Sequence, residues 1–160
     1  MSRELARKSW PGPEYHVHVT FRAPLPYVFA WCTDYTSGDA KLEGENYQRK
    51  VIRRGRRHVS FEDAEEMPTG WYWARLEVDL QPPDRWHLQV QGNMSQVIGD
   101  YQLTALPDNR TRLDLWWRRR PGMLEFVRRP KKQAERSSTL GWQRFARALE
   151  RDYRKSRPRR

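Results

Sequence analysis

Residues 15–34 read YHVHVTFRAPLPYVFAWCTD, and the order of the parts within that stretch decides the fold. Tyr15, Val17, Val19 and Phe21 alternate with His16, His18, Thr20 and Arg22, the period of two that predicts a strand with one apolar face. Ala23-Pro24-Leu25-Pro26 stops the strand and sets up a helix start, because proline is tolerated in a first turn whose N–H groups have no helical partner anyway. Val28, Phe29, Trp31 and Cys32 supply a short apolar stripe that Asp34 ends. The strand's oily face must therefore be covered by something further along the chain.

Downstream, Tyr35 to Glu45 is polar, with glycines at 38 and 44, and reads as a second short helix or a loop. A run of alternating segments follows. Tyr47 to Arg53 and His58 to Glu65 flank Arg54-Gly55-Arg56-Arg57, a hairpin turn in which Gly55 is expected to supply a positive φ. Trp71 to Leu80, Arg85 to Gln91, Gln96 to Leu106 and Thr111 to Arg119 are separated by Pro/Gly/Asn/Asp turns. Connections this short force antiparallel neighbours. After Pro130 the period changes: Trp142, Phe145, Leu149 and Tyr153 are spaced as one stripe of a helix over about 131–155, with Ala134 and Ser138 extending it backwards. Met123 to Val127 reads as a short turn before it. Seven strands with one apolar face need a cover, and this helix is the only long amphipathic element available. A twisted sheet curls around such a helix, and one helix cannot fill the whole concave side. The predicted architecture is α+β, a helix-grip: a curved seven-stranded antiparallel sheet around a long C-terminal helix, with two short helices after the first strand.

The strand Tyr15–Arg22, then Ala23-Pro24 and the helix Tyr27-Val28-Phe29-Ala30-Trp31-Cys32-Thr33-Asp34, resembles the opening of the START-like (SRPBCC) superfamily. That group includes plant allergens of the Bet v type, lipid-transfer START domains and bacterial polyketide cyclases. Asn109-Arg110-Thr111-Arg112-Leu113 and Ala148-Leu149-Glu150 match its habits as well. The resemblance covers about residues 14–155, with 1–13 as a flexible lead-in and 156–160 as a basic tail. It implies a cavity for an apolar or amphipathic molecule such as a lipid, an isoprenoid or a polyketide, with no cofactor, and it fixes no reaction.

The predicted inward set is Tyr72, Leu76, Trp86, Leu88, Tyr101 and Leu103 from the middle strands, Leu115 and Trp117 from the last strand, and Trp142, Phe145 and Leu149 from the helix. These residues either fill a core or line a site for a flat apolar ligand oriented by a few polar tips. A cyclase/aromatase-type enzyme using the same cavity would need polar groups inside it, and Arg75, Glu77, Gln102 and Asp114 qualify only if the facing is reversed. Trp71, Trp73 and Trp116 fall on the outer face, where they would suit a homodimer or partner surface. His16 and His18 share a face, but no third ligand accompanies them, so no metal site is expected, and they, His58 and His87 read as exposed strand histidines. Cys32 reads as an inert buried thiol. Glu62, Asp63, Glu65 and Glu66 could include an acid of raised pKa, but four neighbouring acids near a turn read as a solvated edge.

The chain has 160 residues and a net charge of +11. Residues 1–117 carry 15 Lys/Arg against 16 Asp/Glu, whereas residues 118–160 carry 16 against 4, so the excess lies in the C-terminal quarter. Arg53, Arg54, Arg56 and Arg57 on the hairpin, with Arg118, Arg119 and Arg120, are the candidate anion contacts for nucleic acid or an anionic membrane. Otherwise they are a solvated face. Aromatic residues make up 12% of the chain, with eight Trp, which excludes a disordered polymer. One cysteine excludes an intrachain disulfide. Residues 1–13 have no apolar stretch of the secretory kind, and the longest apolar run, Tyr27 to Cys32, is far too short to span a bilayer. A cytoplasmic protein is the resulting expectation.

Overall fold

A computed structural model describes residues 12–121 and 130–157. The elements run β1 (Tyr15–Phe21), α1 (Leu25–Cys32), α2 (Asp39–Glu43), β2 (Gln48–Arg54), β3 (His58–Met67), β4 (Gly70–Gln81), β5 (Arg85–Gly92), β6 (Ser95–Leu106), β7 (Arg110–Pro121) and α3 (Lys131–Ser156). The seven strands form one sheet in the order β1-β7-β6-β5-β4-β3-β2, antiparallel throughout. This is the predicted helix-grip. The turn at Met123–Val127 and most of the lead-in lie outside the described residues.

The period-two reading of β1 carries across its register. Val17 faces Leu115, Val19 faces Leu113 and Phe21 faces Thr111, so the apolar faces of β1 and β7 are joined from the start of the chain to the last strand. Phe21, Phe61, Leu103, Leu113, Val28 and Leu149 are fully buried and pack as one cluster. Leu149 therefore brings the C-terminal half of α3 down onto the sheet. β1 is an edge strand, and an edge exposes unpaired N–H groups. Two of them are answered by the helix: His16 N donates to Glu135 Oε1 at 2.9 Å and Arg22 N to Glu150 Oε1 at 2.9 Å. These glutamates, four helical turns apart, lay α3 along the edge of β1. Trp31 Nε1 donates to Asp152 Oδ2 at 3.2 Å and ties α1 to the same helix.

Several expectations need correction. Gly55 does not take a positive φ; the β2–β3 hairpin closes through Gly55 N donating to His58 O at 2.8 Å. Among the hairpin turns, positive φ is taken by Gly70 between β3 and β4 and by Asp108 and Asn109 between β6 and β7, whose side chains tolerate that region. Three of the histidines are held by acids rather than simply exposed. His58 Nδ1 lies 3.0 Å from Asp79 and its Nε2 lies 2.8 Å from Glu77; His87 Nδ1 lies 2.9 Å from Asp100; His16 Nε2 lies 2.9 Å from Asp114. The bonds from Asp79 and then Glu77 hold the His58 imidazole above its usual pKa, against partial burial. Trp116 is not bare: it is half-buried under His16, with the rings stacked at 4.9 Å. Trp71 and Trp73 are 60% and 42% exposed on the outer face, as the alternation of β4 requires.

The candidate ligand-binding cavity

Ser138, Gly141, Trp142 and Phe145 recur at helical spacing on α3 and look onto a half-open cavity of about 500 Å³ between the helix and the concave face of the sheet. One turn later Ala146 and Leu149 pack solidly. The long helix therefore does two jobs: its C-terminal half closes the core, and its middle roofs a space. Pockets that hold drug-sized molecules run to about 300–1,000 Å³, so the size admits a guest.

Of the predicted inward set, Leu76, Trp86, Leu88 and Tyr101 line this cavity from the middle strands, with Leu115 and Trp117 from β7 and Trp142 and Phe145 from α3. Leu103 and Leu149 do not; both are sealed in the core. Tyr72 does not line the cavity either and is half-buried close to Asp63, Glu43 and Arg49. The rings form a continuous wall. Trp86 stacks on Tyr101 at 4.7 Å, Tyr101 meets Trp142 edge-on at 6.0 Å, Trp142 lies 5.4 Å from Phe145, and Phe145 meets Trp31 at 6.0 Å. Trp117 stacks on Tyr15 at 4.0 Å, and its buried indole N–H has no partner.

The other end is polar, and it was missed at the level of sequence. Asp34 and Tyr35 follow α1, Asp39 and Glu43 come from α2, and Arg49 comes from β2; all five line the cavity. Gly44 ends α2 in the left-handed conformation at φ +78°, which keeps the helix to five residues and leaves Asp39 and Glu43 at its two ends. Arg49 binds Asp63 twice, from Nε and Nη2 at 2.8 Å each, and also binds Asp39 and the Tyr47 hydroxyl. Its guanidinium sits over the Phe61 ring at 4.2 Å. Asp63 is thus not part of a solvated edge. It alternates with Val59 and Phe61 along β3 and pairs across strands with Arg49, so it faces inward. That signal was present in the period of β3. Cys32, half-buried, also lines the cavity, and burial pushes its thiol pKa up, keeping it protonated.

Burial, with a smaller contribution from Asp39, pushes the Asp34 carboxyl up to about 6. Burial pushes Glu43 up to about 7 despite the opposing charge of Arg49. The sign of the stability effect follows. In the folded chain these acids keep protons that the unfolded chain releases near pH 4. Their contribution is therefore full at low pH and declines as pH rises through 6 and 7. Urea midpoints measured from pH 4.5 to 8 should fall on this account, and Glu43→Gln should flatten the slope and be the more stable protein at pH 8. His58, also raised, pulls the same way, so the Gln variant isolates the cavity's share.

The alternatives drawn from the sequence find different places. Arg75, Glu77, Gln102 and Asp114 stay on the convex face: Arg75 pairs with Glu77 and Glu62, Gln102 with Asp84, and Asp114 with Arg112 and His16. The facing is not reversed. The candidate anion contacts do not converge. Arg53, Arg56 and Arg57 are exposed about the β2–β3 hairpin, while Arg54 donates to the backbone oxygens of Asp34 and Tyr35. Arg118 to Arg120 belong to β7, five places away from β2 in the sheet, and alternate faces: Arg119 lines the cavity, while Arg118 donates to Gly12 O and pairs with Glu14. Among the described residues no three His, Cys, Asp or Glu are grouped to hold a metal ion, and no helix is long and apolar enough to cross a membrane.

No protein-family model matches the sequence, and no curated protein matches it significantly. Solved structures do match in fold. The Zhui aromatase/cyclase from Streptomyces sp. R1128 superposes with a TM-score of 0.64 at 14% identity, over 88% of this chain and 92% of that one. A START superfamily protein from Mycobacterium smegmatis gives 0.62 at 13% identity, over 87% and 95%. Ara h 8.0201 gives 0.60 at 9% identity, over 86% and 97%. The chain therefore has the START-like helix-grip fold. At these identities the likeness defines the architecture and leaves the ligand to the cavity's own chemistry.

Proposed function

We propose that this chain binds an apolar or amphipathic small molecule in the cavity between the sheet and α3. The observation that carries the reading is a half-open space of about 500 Å³ walled by stacked aromatic rings, beside the packed core to which Phe61 and Trp86 of its wall also belong. Close packing is the rule in protein interiors, and apolar rings that face an unfilled space lack the contacts a packed neighbour would give them. A guest that fills it returns the lost contacts. Leu76, Trp86, Leu88, Tyr101, Leu115, Trp117, Trp142 and Phe145 are the proposed contacts. Titration with 1-pyrenemethanol tests this, because the tryptophans of the wall transfer excitation energy to a pyrene bound among them. Saturable transfer with one site per chain is the expected result; transfer that never saturates, or none, refutes it.

A second reading, catalysis of the cyclase/aromatase kind, is favoured by one observation. Asp34 and Glu43 are acids poised near neutrality at the wall of an apolar cavity, the condition that general acid–base chemistry on a carbonyl substrate needs. Under this reading the same two residues would move protons, and Glu43→Gln would abolish turnover while sparing binding.

A further inference from the structure

Two carboxyls at the polar end of the cavity make no ion pair. Those of Asp34, Asp39, Glu43 and Asp63 gather about the Arg49 guanidinium, with Arg54 bonded to the Asp34 backbone and Arg144 of α3 near Gly44 as the other cations close by. Arg49 is fully engaged: Asp63 takes Nε and Nη2, Asp39 takes Nη1, and the Tyr47 hydroxyl shares Nη2. It has no free pair of donors to offer an anionic guest. Asp34 and Glu43 are held only by neutral partners, the Thr36 backbone and the Tyr47 hydroxyl. Among the described residues neither carboxyl has a cation within ion-pair distance; Arg54, the nearest basic residue to Asp34 by contact, bonds that residue's backbone oxygen instead of its side chain. Both carboxyls line the cavity together with Tyr35, Phe61 and Tyr101, and aromatic faces of that kind attract a cation as well. Besides Arg49, Arg119 lines the cavity, but from β7, five strands away from β2.

Resting on the reading of the cavity as a ligand site, we infer that the ligand carries a protonated amine or an equally compact cation, seated against Asp34 and Glu43 while its apolar body lies among the rings of Trp86, Tyr101, Trp142 and Phe145. The amine supplies the ion-pair partner these two carboxyls lack, and its N–H groups find carboxylate acceptors there. Size and aromaticity alone would accept any flat molecule; the two acids without an ion pair choose among them.

Three matched probes separate this inference from the reading beneath it: 1-pyrenemethylamine, 1-pyrenemethanol and 1-pyreneacetic acid, titrated into the whole chain by energy transfer. At pH 8 the amine should bind at least about tenfold tighter than the alcohol, a difference of about 1.4 kcal/mol, and the acid should bind more weakly than either. Lowering the pH to 5 should narrow the amine's advantage, because Glu43, which faces Arg49, Asp39, Asp63 and Tyr47, and Asp34, which faces Asp39, Arg54 and Arg49, take up protons. Glu43→Gln and Asp34→Asn keep the side-chain shapes, and in each the amine's affinity should fall toward that of the alcohol titrated into the same variant. Equal binding of amine and alcohol at pH 8, or an unaltered preference in both variants, would overturn the cation and leave the cavity reading standing. Failure of all three probes to bind would overturn both.

Discussion

Arg49→Ala should destabilise the fold by about 3–5 kcal/mol, the loss found when one partner of a buried ion pair is removed. The Arg49 and Asp63 side chains are each 5% exposed, and Asp39 also leans on the same guanidinium. Alanine there would strand two carboxylates in the interior beside Glu43 and Asp34, whose own ionisation burial already disfavours. It would also remove the cation stacked on Phe61, which belongs to the central core. A domain of ordinary size is stable by only about 5–15 kcal/mol, so the variant should unfold at a much lower urea concentration. Adding Asp63→Leu to an Arg49→Met background removes both sides of the pair and should recover part of the loss. A midpoint for Arg49→Ala within about 0.5 kcal/mol of the parent, the range of an ordinary surface change, would show that Arg49 and Asp63 do not hold each other inside.

Gly141→Phe should abolish binding in the cavity while leaving the fold intact. Gly141 sits in the interior of the 26-residue α3, where glycine costs about 0.5–1 kcal/mol relative to alanine. It also lines the cavity, and a Cβ placed on it meets no atom within 4 Å. The absence of a side chain at that point keeps the roof of the cavity open. A phenyl ring there would enter the space beside Trp142 and Phe145 and occupy volume a guest needs. Affinity for 1-pyrenemethanol should fall at least about a hundredfold, roughly 2.7 kcal/mol. Gly141→Ala should gain most of the helical stability with little loss of volume, which separates filling from stiffening. Unchanged pyrene binding in Gly141→Phe would place the probe somewhere other than this cavity.

How far the sequence could be read depended on whether a residue's role was written into its periodicity. The strand Tyr15–Phe21 and the helix stripe at Trp142, Phe145 and Leu149 were legible because a single apolar face forces each side chain's direction. The division of that stripe into a packed half and a roofing half was not legible. Leu149 and Phe145 belong to one stripe, and only the curvature of the sheet decides that one fills and the other overhangs. The polar end was harder still. Asp34, Asp39 and Glu43 come from a short polar stretch with no usable period, and Arg49 reads as one of many basic residues until the β2–β3 register sets it opposite Asp63. Asp63 itself was readable, since it follows Val59 and Phe61 at steps of two, but three neighbouring glutamates masked it as a charged edge. Glu135 and Glu150, which meet the backbone of β1, carry no local signal at all, because their partners lie more than a hundred residues away.

The central claim is that the space beneath α3 is built to be filled from outside. Native mass spectrometry of the chain purified without denaturation, with Gly141→Phe run beside it, tests this most directly. The account predicts a non-covalent mass excess on the parent chain that disappears on denaturation and is absent from the variant. The bare chain mass for both proteins, persisting after the parent is incubated with 1-pyrenemethanol, would contradict it.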